Sequence, residues 1–145
     1  MKSSAVTEFE PLYTTYFDIT KFNLLKRFLC KKLKCVDFQD YNVLWNNIIN
    51  RKRTYQGKPI IKGGFSGWDN SARKGRNSMI VRNASPENFE RNLEQLIKKK
   101  RVDASEDLIL INAWNEWSEG AILEPTEKDG YGYLQAIKNI VEKYQ

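Results

Sequence analysis

The chain has 145 residues, 41% of them hydrophobic and 29% charged, which suits one globular domain and leaves too little for two. It contains no histidine, so Ser-His-Asp and Cys-His constellations and the HExxH metal helix are excluded within it, and acid/base chemistry must run on Asp, Glu, Lys, Tyr or Cys. The net charge of +6 is unevenly spread: residues 1 to 105 carry 21 Lys and Arg against 10 Asp and Glu, whereas residues 106 to 145 carry 3 against 8.

The N-terminal stretch Met1 to Glu8 has no continuous apolar segment and no cleavage site, so it does not read as a signal peptide. The longest strongly apolar run, Leu108 to Ile111, falls far short of the roughly 20 residues of a membrane span. A cytoplasmic protein is expected. Cys30 and Cys35 are too few and too widely spaced for a disulfide framework or a zinc site, and read as two reduced thiols. No metal or cofactor is expected.

Residues 21–34 place Phe22, Leu25, Leu29 and Leu33 on one helical face among Lys26, Arg27, Lys31, Lys32 and Lys34. A basic amphipathic helix of this kind can lie on an anionic membrane. The commoner arrangement, expected here, is a helix docked on the core with its lysines in water. Residues 40–53 predict a second helix, with Tyr41, Leu44, Trp45, Ile48 and Ile49 buried, Asp40 as cap, and Arg51, Lys52 and Arg53 at the negative end of the dipole. Pro59-Ile60-Ile61 reads as a short buried strand running into a glycine-rich loop, Gly63 to Asn70.

Residues 85–100 give the clearest helix. Ser85 caps it, Pro86 opens it, Lys98, Lys99 and Lys100 complement its far end, and Phe89, Leu93, Leu96 and Ile97 form the buried stripe. Residues 108–113 predict a strand buried on both faces. The last helix, from about Tyr133 to Tyr144, would bury Tyr133, Ile137, Ile140, Val141 and Tyr144. Strand and helix alternate, which predicts an α/β fold with parallel strands and right-handed crossovers. Active-site groups in such folds lie beyond the carboxyl ends of the strands. Two loops qualify, 63–70 and 112–124.

The second loop reads Asn112-Ala113-Trp114-Asn115-Glu116-Trp117-Ser118-Glu119-Gly120. In a continuing strand Glu116 and Glu119 would face opposite sides, so they converge only if the chain turns near Trp117-Ser118, which Gly120 would allow. Two nearby carboxylates supply the acid and the base that glycosidic-bond chemistry needs. Trp114 and Trp117 offer flat faces to a sugar ring, and Asn112 and Asn115 can hydrogen-bond its hydroxyls. The alternative is a helix N-terminus in which the glutamates complement the dipole and the tryptophans are core. Glu124 lines either the site or its rim. In the first loop, Trp68, Asp69, Asn70 and Arg73 can grip hydroxyls or a phosphate, or Asp69 and Arg73 form an ion pair that packs loop on loop. The basic body leaves a rival reading open, a non-catalytic binding protein for anionic lipid or nucleic acid. The basic segment lacks interleaved aromatics, so nucleic acid is not expected.

Asn112 to Gly120, then Leu123-Glu124-Pro125, then Gly130-Tyr131-Gly132-Tyr133-Leu134, strongly resemble the WbsX family, bacterial polysaccharide-biosynthesis proteins described as glycosyltransferases and related to glycoside hydrolase family 99 endo-mannosidases. Gly67 to Arg73 and Ser85 to Phe89 resemble two further family motifs. The resemblance covers roughly residues 36–145 and leaves residues 1–35 as a basic segment that is hard to assign. It implies the C-terminal part of a (β/α)8 TIM-type barrel. It also implies that Glu116 is a base assisting attack by the sugar's own 2-hydroxyl and Glu119 the acid/base on the leaving or incoming oxygen, with Trp68, Asp69, Arg73, Asn112, Trp114, Asn115, Trp117 and Glu124 around a glycan or sugar-donor substrate. Ser71-Ala72, Thr126 and Asp129 stand where the family commonly has Thr-Pro, Asp and Tyr. A full barrel takes about 250 residues. The chain is therefore expected to be truncated, inactive alone, and disposed to pair with a complementary N-terminal half or with itself.

Overall fold

The computed structural model describes residues 5–18, 20–52, 57–58, 60–103 and 108–144. Three strands form a parallel sheet in the order β1 (Val6–Thr7), β3 (Ile60–Phe65), β5 (Ile109–Asn112). A second parallel ladder joins β2 (Asp37–Asp40) to β4 (Met79–Arg82). Each ladder strand runs almost directly into a long helix: β2 into α3 (Tyr41–Asn50), β4 into α5 (Pro86–Asp103). The short helix α1 (Leu12–Phe17) and α2 (Lys21–Leu33) precede β2, a single turn α4 (Ser71–Lys74) precedes β4, and α6 (Gly132–Tyr144) ends the chain. The fold is α/β: β1, β3 and β5 lie side by side in parallel, while β2 and β4, which alternate with them along the chain, form a parallel ladder of their own.

The helix signals act locally as their chemistry requires. The Asp40 carboxylate accepts the Val43 amide hydrogen at 3.0 Å and caps α3. The Ser85 hydroxyl accepts from the Asn88 amide at 3.2 Å ahead of Pro86. Tyr41, Leu44, Trp45, Ile48 and Ile49 of α3 are all buried, as are Phe89, Leu93 and Leu96 of α5. These faces meet over one side of the sheet in an aromatic core. Trp45 stacks on Phe65 at 5.7 Å, Tyr41 meets Phe65 edge-on at 5.0 Å, and Phe89 bridges Trp45 and Tyr133. The Tyr41 hydroxyl donates to the Phe65 carbonyl at 2.9 Å.

Several expectations are corrected. Gly63 and Gly64 belong to β3 rather than to a loop. A Cβ on Gly64 would stand 2.7 Å from the Trp45 ring, so glycine is there to let the indole lie against the strand. Strand β5 is covered on one face only: Ile109 and Ile111 pack on the core while Leu108 and Leu110 are exposed. Val141 of α6, expected in the core, is exposed, while Ala136, which was not expected there, is buried. Helix α5 runs past the lysines to Asp103, so Lys98 pairs with Glu94 and Lys99 donates to Asn50. Pro59 and Arg53 lie outside the described residues, as do the side chains of Phe22 and Lys100.

Arg51 does not remain at the surface end of α3. It turns inward to meet Glu8 at 2.6 Å, Glu10 at 2.7 Å and Asp18, and its guanidinium lies 4.6 Å from the centre of the Tyr13 ring. The Thr14 amide donates to Glu10 at 3.1 Å. This buried cluster ties β1 and α1 to the end of α3.

The largest correction concerns α2. Its apolar side is not docked. Leu24, Leu25, Phe28, Leu29 and Leu33 are exposed, and the helix touches the body through its polar side. Lys34 follows with a φ of +50°, and the Cys35 amide donates to the Cys30 carbonyl at 2.9 Å, closing the helix end. Cys30 and Cys35 are free thiols, and a hydrogen bond from one to the other raises the Cys30 pKa above its ordinary value.

Candidate functional site

The strand end after β5 turns back on itself. Asn115–Glu116 (β6) pairs antiparallel with Ala121–Ile122 (β7), Glu116 opposite Ala121. Between them Trp117 to Glu119 form one 3-10 turn, and Gly120 closes it with a φ of +61°. A Cβ there would stand 3.0 Å from the Asp69 nitrogen, so both the backbone sign and the space call for glycine. This tight hairpin replaces the helix N-terminus that the pattern also allowed.

The two candidate loops meet at this turn. The Asp69 amide donates to the Glu119 carbonyl at 2.7 Å. The Arg73 guanidinium grips the Glu119 carboxylate. The Asp69–Arg73 pair that the pattern also allowed does not form; Arg73 pairs across the loops with Glu119, and Asp69 instead accepts the Ser71 amide at 2.8 Å. Beneath, Asn70 is buried and accepts the Met79 amide at 2.9 Å, which fastens the first loop to β4. That role was hidden in the sequence, where Asn70 reads as one more polar loop residue.

The Ser118 hydroxyl donates to Glu116 at 2.6 Å. The Trp117 indole nitrogen donates to the Glu124 carboxylate, which holds the ring across the hairpin. Trp114 and Trp117 are 54% and 59% exposed, so they are not core. Asn115 is exposed beside them. Asn112 is turned toward the segment between β1 and α1, donating to the Glu10 carbonyl at 2.9 Å. Trp68 also departs from the expected sugar contacts. Its ring is 2% exposed and packs in the core, so it supports the loop from below.

A cavity of about 280 Å3 lies behind the turn, lined by Asp69, Asn83, Gly120, Lys128 and Tyr133 among others. Neither Glu116 nor Glu119 lines it. Trp114, Asn115, Glu116 and Trp117 are exposed on the hairpin, whereas the Glu119 side chain is only 15% exposed beside Arg73. Among the described residues no group of three Cys, Asp or Glu is placed to hold a metal ion, and no helix is long and apolar enough to cross a membrane.

Residues 2–137 match the family described as "Glycosyltransferase WbsX". Two curated relatives, each named "Uncharacterized protein WxcX", come from two strains of Xanthomonas campestris pv. campestris. One is 30% identical over 111 residues, covering 74% of this chain and 16% of the relative. The other is 35% identical over 94 residues, covering 63% and 14%. The chain spans about a sixth of the length of the curated relatives it matches. No solved structure matches significantly. The family match begins at residue 2 and so takes in the basic N-terminal segment as well as the glutamate hairpin. On that match over nearly its whole length, the chain belongs to the glycosyltransferase WbsX family.

Proposed function

We propose that this chain is the carboxylate-bearing part of a carbohydrate-active (β/α)8 barrel acting in bacterial surface-polysaccharide synthesis, in the cytoplasm, with Glu116 and Glu119 carrying glycosyl transfer or glycosidic-bond chemistry. The observation that carries this reading is the braced hairpin at the carboxyl end of β5. It brings both glutamates and two exposed tryptophans within the six residues 114–119, and Arg73 and Asp69 fix its turn from the adjoining loop. Aromatic faces bind the apolar face of a sugar ring, and fixed carboxylates move protons at its oxygens. Glu116, which accepts the Ser118 hydroxyl, is the base toward the sugar 2-hydroxyl. Glu119 is the acid/base at the bridging oxygen. Trp114, Asn115 and Trp117 contact the glycan, while Asp69, Arg73, Asn112 and Glu124 position the wall.

The opposite wall of the site comes from a complementary barrel half or a further copy. Three parallel strands leave the sheet open, and positioning a substrate between two walls is worth roughly 7 to 11 kcal/mol in favourable cases. The test is to replace Glu116 by Gln and Glu119 by Gln, separately, in cells whose surface glycan depends on the protein, and to measure polymer made or released. Losing an acid or a base costs about 10²- to 10⁴-fold in rate. Unchanged glycan in both variants would overturn the assignment.

A further inference from the structure

Helix α2 is amphipathic in the opposite sense to a core helix. Its polar side holds it to the body. Arg27 reaches the Asp37 carboxylate at 3.0 Å, donates to the Thr15 carbonyl and lies 4.8 Å from the centre of the Tyr16 ring. Lys26 donates to the Phe38 carbonyl at 3.2 Å. The side turned outward carries Leu24 and Phe28 in one row and Leu25, Leu29 and Leu33 in the next, positions that align along a helix surface. Phe28 is 63% exposed, Leu29 45% and Leu33 73%. Tyr16 and Phe17 of α1 are exposed as well.

What covers such a face is indicated by its charge. Residues 20–36 hold five lysines and one arginine and not one Asp or Glu. Arg27 is neutralised by Asp37. Lys31, Lys32 and Lys34 are exposed, and Lys32 falls within the apolar arc, where its long stem can lie along the leucines while the ammonium rises to a polar layer. A second copy of the helix would bring two such cationic faces together, so self-pairing is opposed by its own charge. An anionic bilayer meets both demands at once, accepting leucine and phenylalanine below its headgroups and lysine at them.

We propose that α2 is an interfacial helix that seats this chain on an anionic membrane surface, with Leu24, Leu25, Phe28, Leu29 and Leu33 in the headgroup–acyl boundary and Lys31, Lys32 and Lys34 at lipid phosphates. At 13 residues the helix is about 20 Å long and lies in the plane of the surface. The inference does not depend on the glycosyl chemistry proposed above.

The experiment is co-sedimentation of the chain with vesicles of phosphatidylcholine alone and of phosphatidylcholine mixed with phosphatidylglycerol. Binding is expected only to the mixed vesicles and is expected to weaken with salt. Phe28→Ser and Leu29→Ser should each lower the partition coefficient about tenfold, and Lys31→Gln and Lys32→Gln about fivefold each. All four positions are exposed, so circular dichroism should report unchanged folding. Leu110→Ser, on the open face of the sheet, should leave vesicle binding as it was. Four results would overturn the proposal: no sedimentation with anionic vesicles, equal binding to neutral ones, equal loss on Leu110→Ser, or a Phe28-dependent dimer that persists in the absence of lipid.

Discussion

Arg51 answers for three carboxylates at once, and no feature of its sequence position announces it. It follows a helix and precedes another cationic pair, so it reads as a residue facing the dipole. Only the fold brings Glu8, Glu10 and Asp18 to it from 33 to 43 residues away. Replacing Arg51 by Met should destabilise the chain by about 3 to 5 kcal/mol, because buried Glu10 would lose its ion-pair partner and buried Glu8 would keep only the longer contact to Lys62 at 3.6 Å; urea unfolding measures this. Burial already outweighs the attraction of Arg51 and holds the Glu10 pKa above the ordinary 4.5. A raised carboxyl pKa means that the native state keeps its proton longer than the unfolded chain does. This contribution to stability is therefore full below pH 4.5 and fades as pH rises through the native Glu10 value. In Arg51→Met that decline should extend to higher pH. At the site, Trp114→Ala should cost under about 0.5 kcal/mol of stability, since the ring is exposed, yet weaken glycan binding, a separation that calorimetry on folded protein would show.

Single elements divide by whether their signals are local. Helices α3 and α5 were legible from a cap, a period and a stripe, since each acts within a few residues. The hairpin turn was legible from the need to bring two glutamates together and from Gly120. The ladder strands β2 and β4 were not, because Asp37–Asp40 is mostly polar and Met79–Arg82 is short, and each is a strand only by pairing with the other. The apolar side of α2 was legible, but its direction was not: periodicity names a face without saying which way it points. Gly120→Ala should cost about 1 to 2 kcal/mol from the left-handed backbone alone, and its Cβ would press on Asp69. Glycan activity should therefore fall more than stability does, and paired thermal unfolding and activity measurements would separate the two. Between α5 and α6, Glu94 is bonded to Lys143, Lys98 and Tyr144, which hold its pKa down to about 2. A lowered carboxyl pKa gives stability that is present above the ordinary 4.5 and is lost as pH falls toward 2. Glu94→Gln should flatten that part of the acid limb, most visibly at low salt.

At the scale of the whole molecule the sheet is the unfinished part. Helices α3, α5 and α6 cover one face, and Leu110 stands 49% exposed on the other. The apolar run Leu108 to Ile111 asked for cover on both faces, and the sequence held no sign of which cover this chain supplies itself. The backbone edge of β5 away from β3 has no ladder partner among the described residues. Unpaired edges with apolar neighbours associate. The purified chain should therefore run larger than its 17.0 kDa in size exclusion with light scattering, and Leu110→Lys should shift it toward the monomer. A monomeric wild-type chain would count against an incomplete sheet.

The polar docking of α2 also sets how its backbone hydrogens exchange with solvent. Releasing α2 breaks one ion pair and a few side-chain bonds to carbonyls, and its described apolar side chains, Leu24, Leu25, Phe28, Leu29 and Leu33, are already exposed to water. Releasing α3 would expose Tyr41, Trp45 and Ile48. Deuterium should therefore enter α2 through openings far below the global unfolding free energy while α3 exchanges only with the whole. A bound vesicle would slow α2 alone.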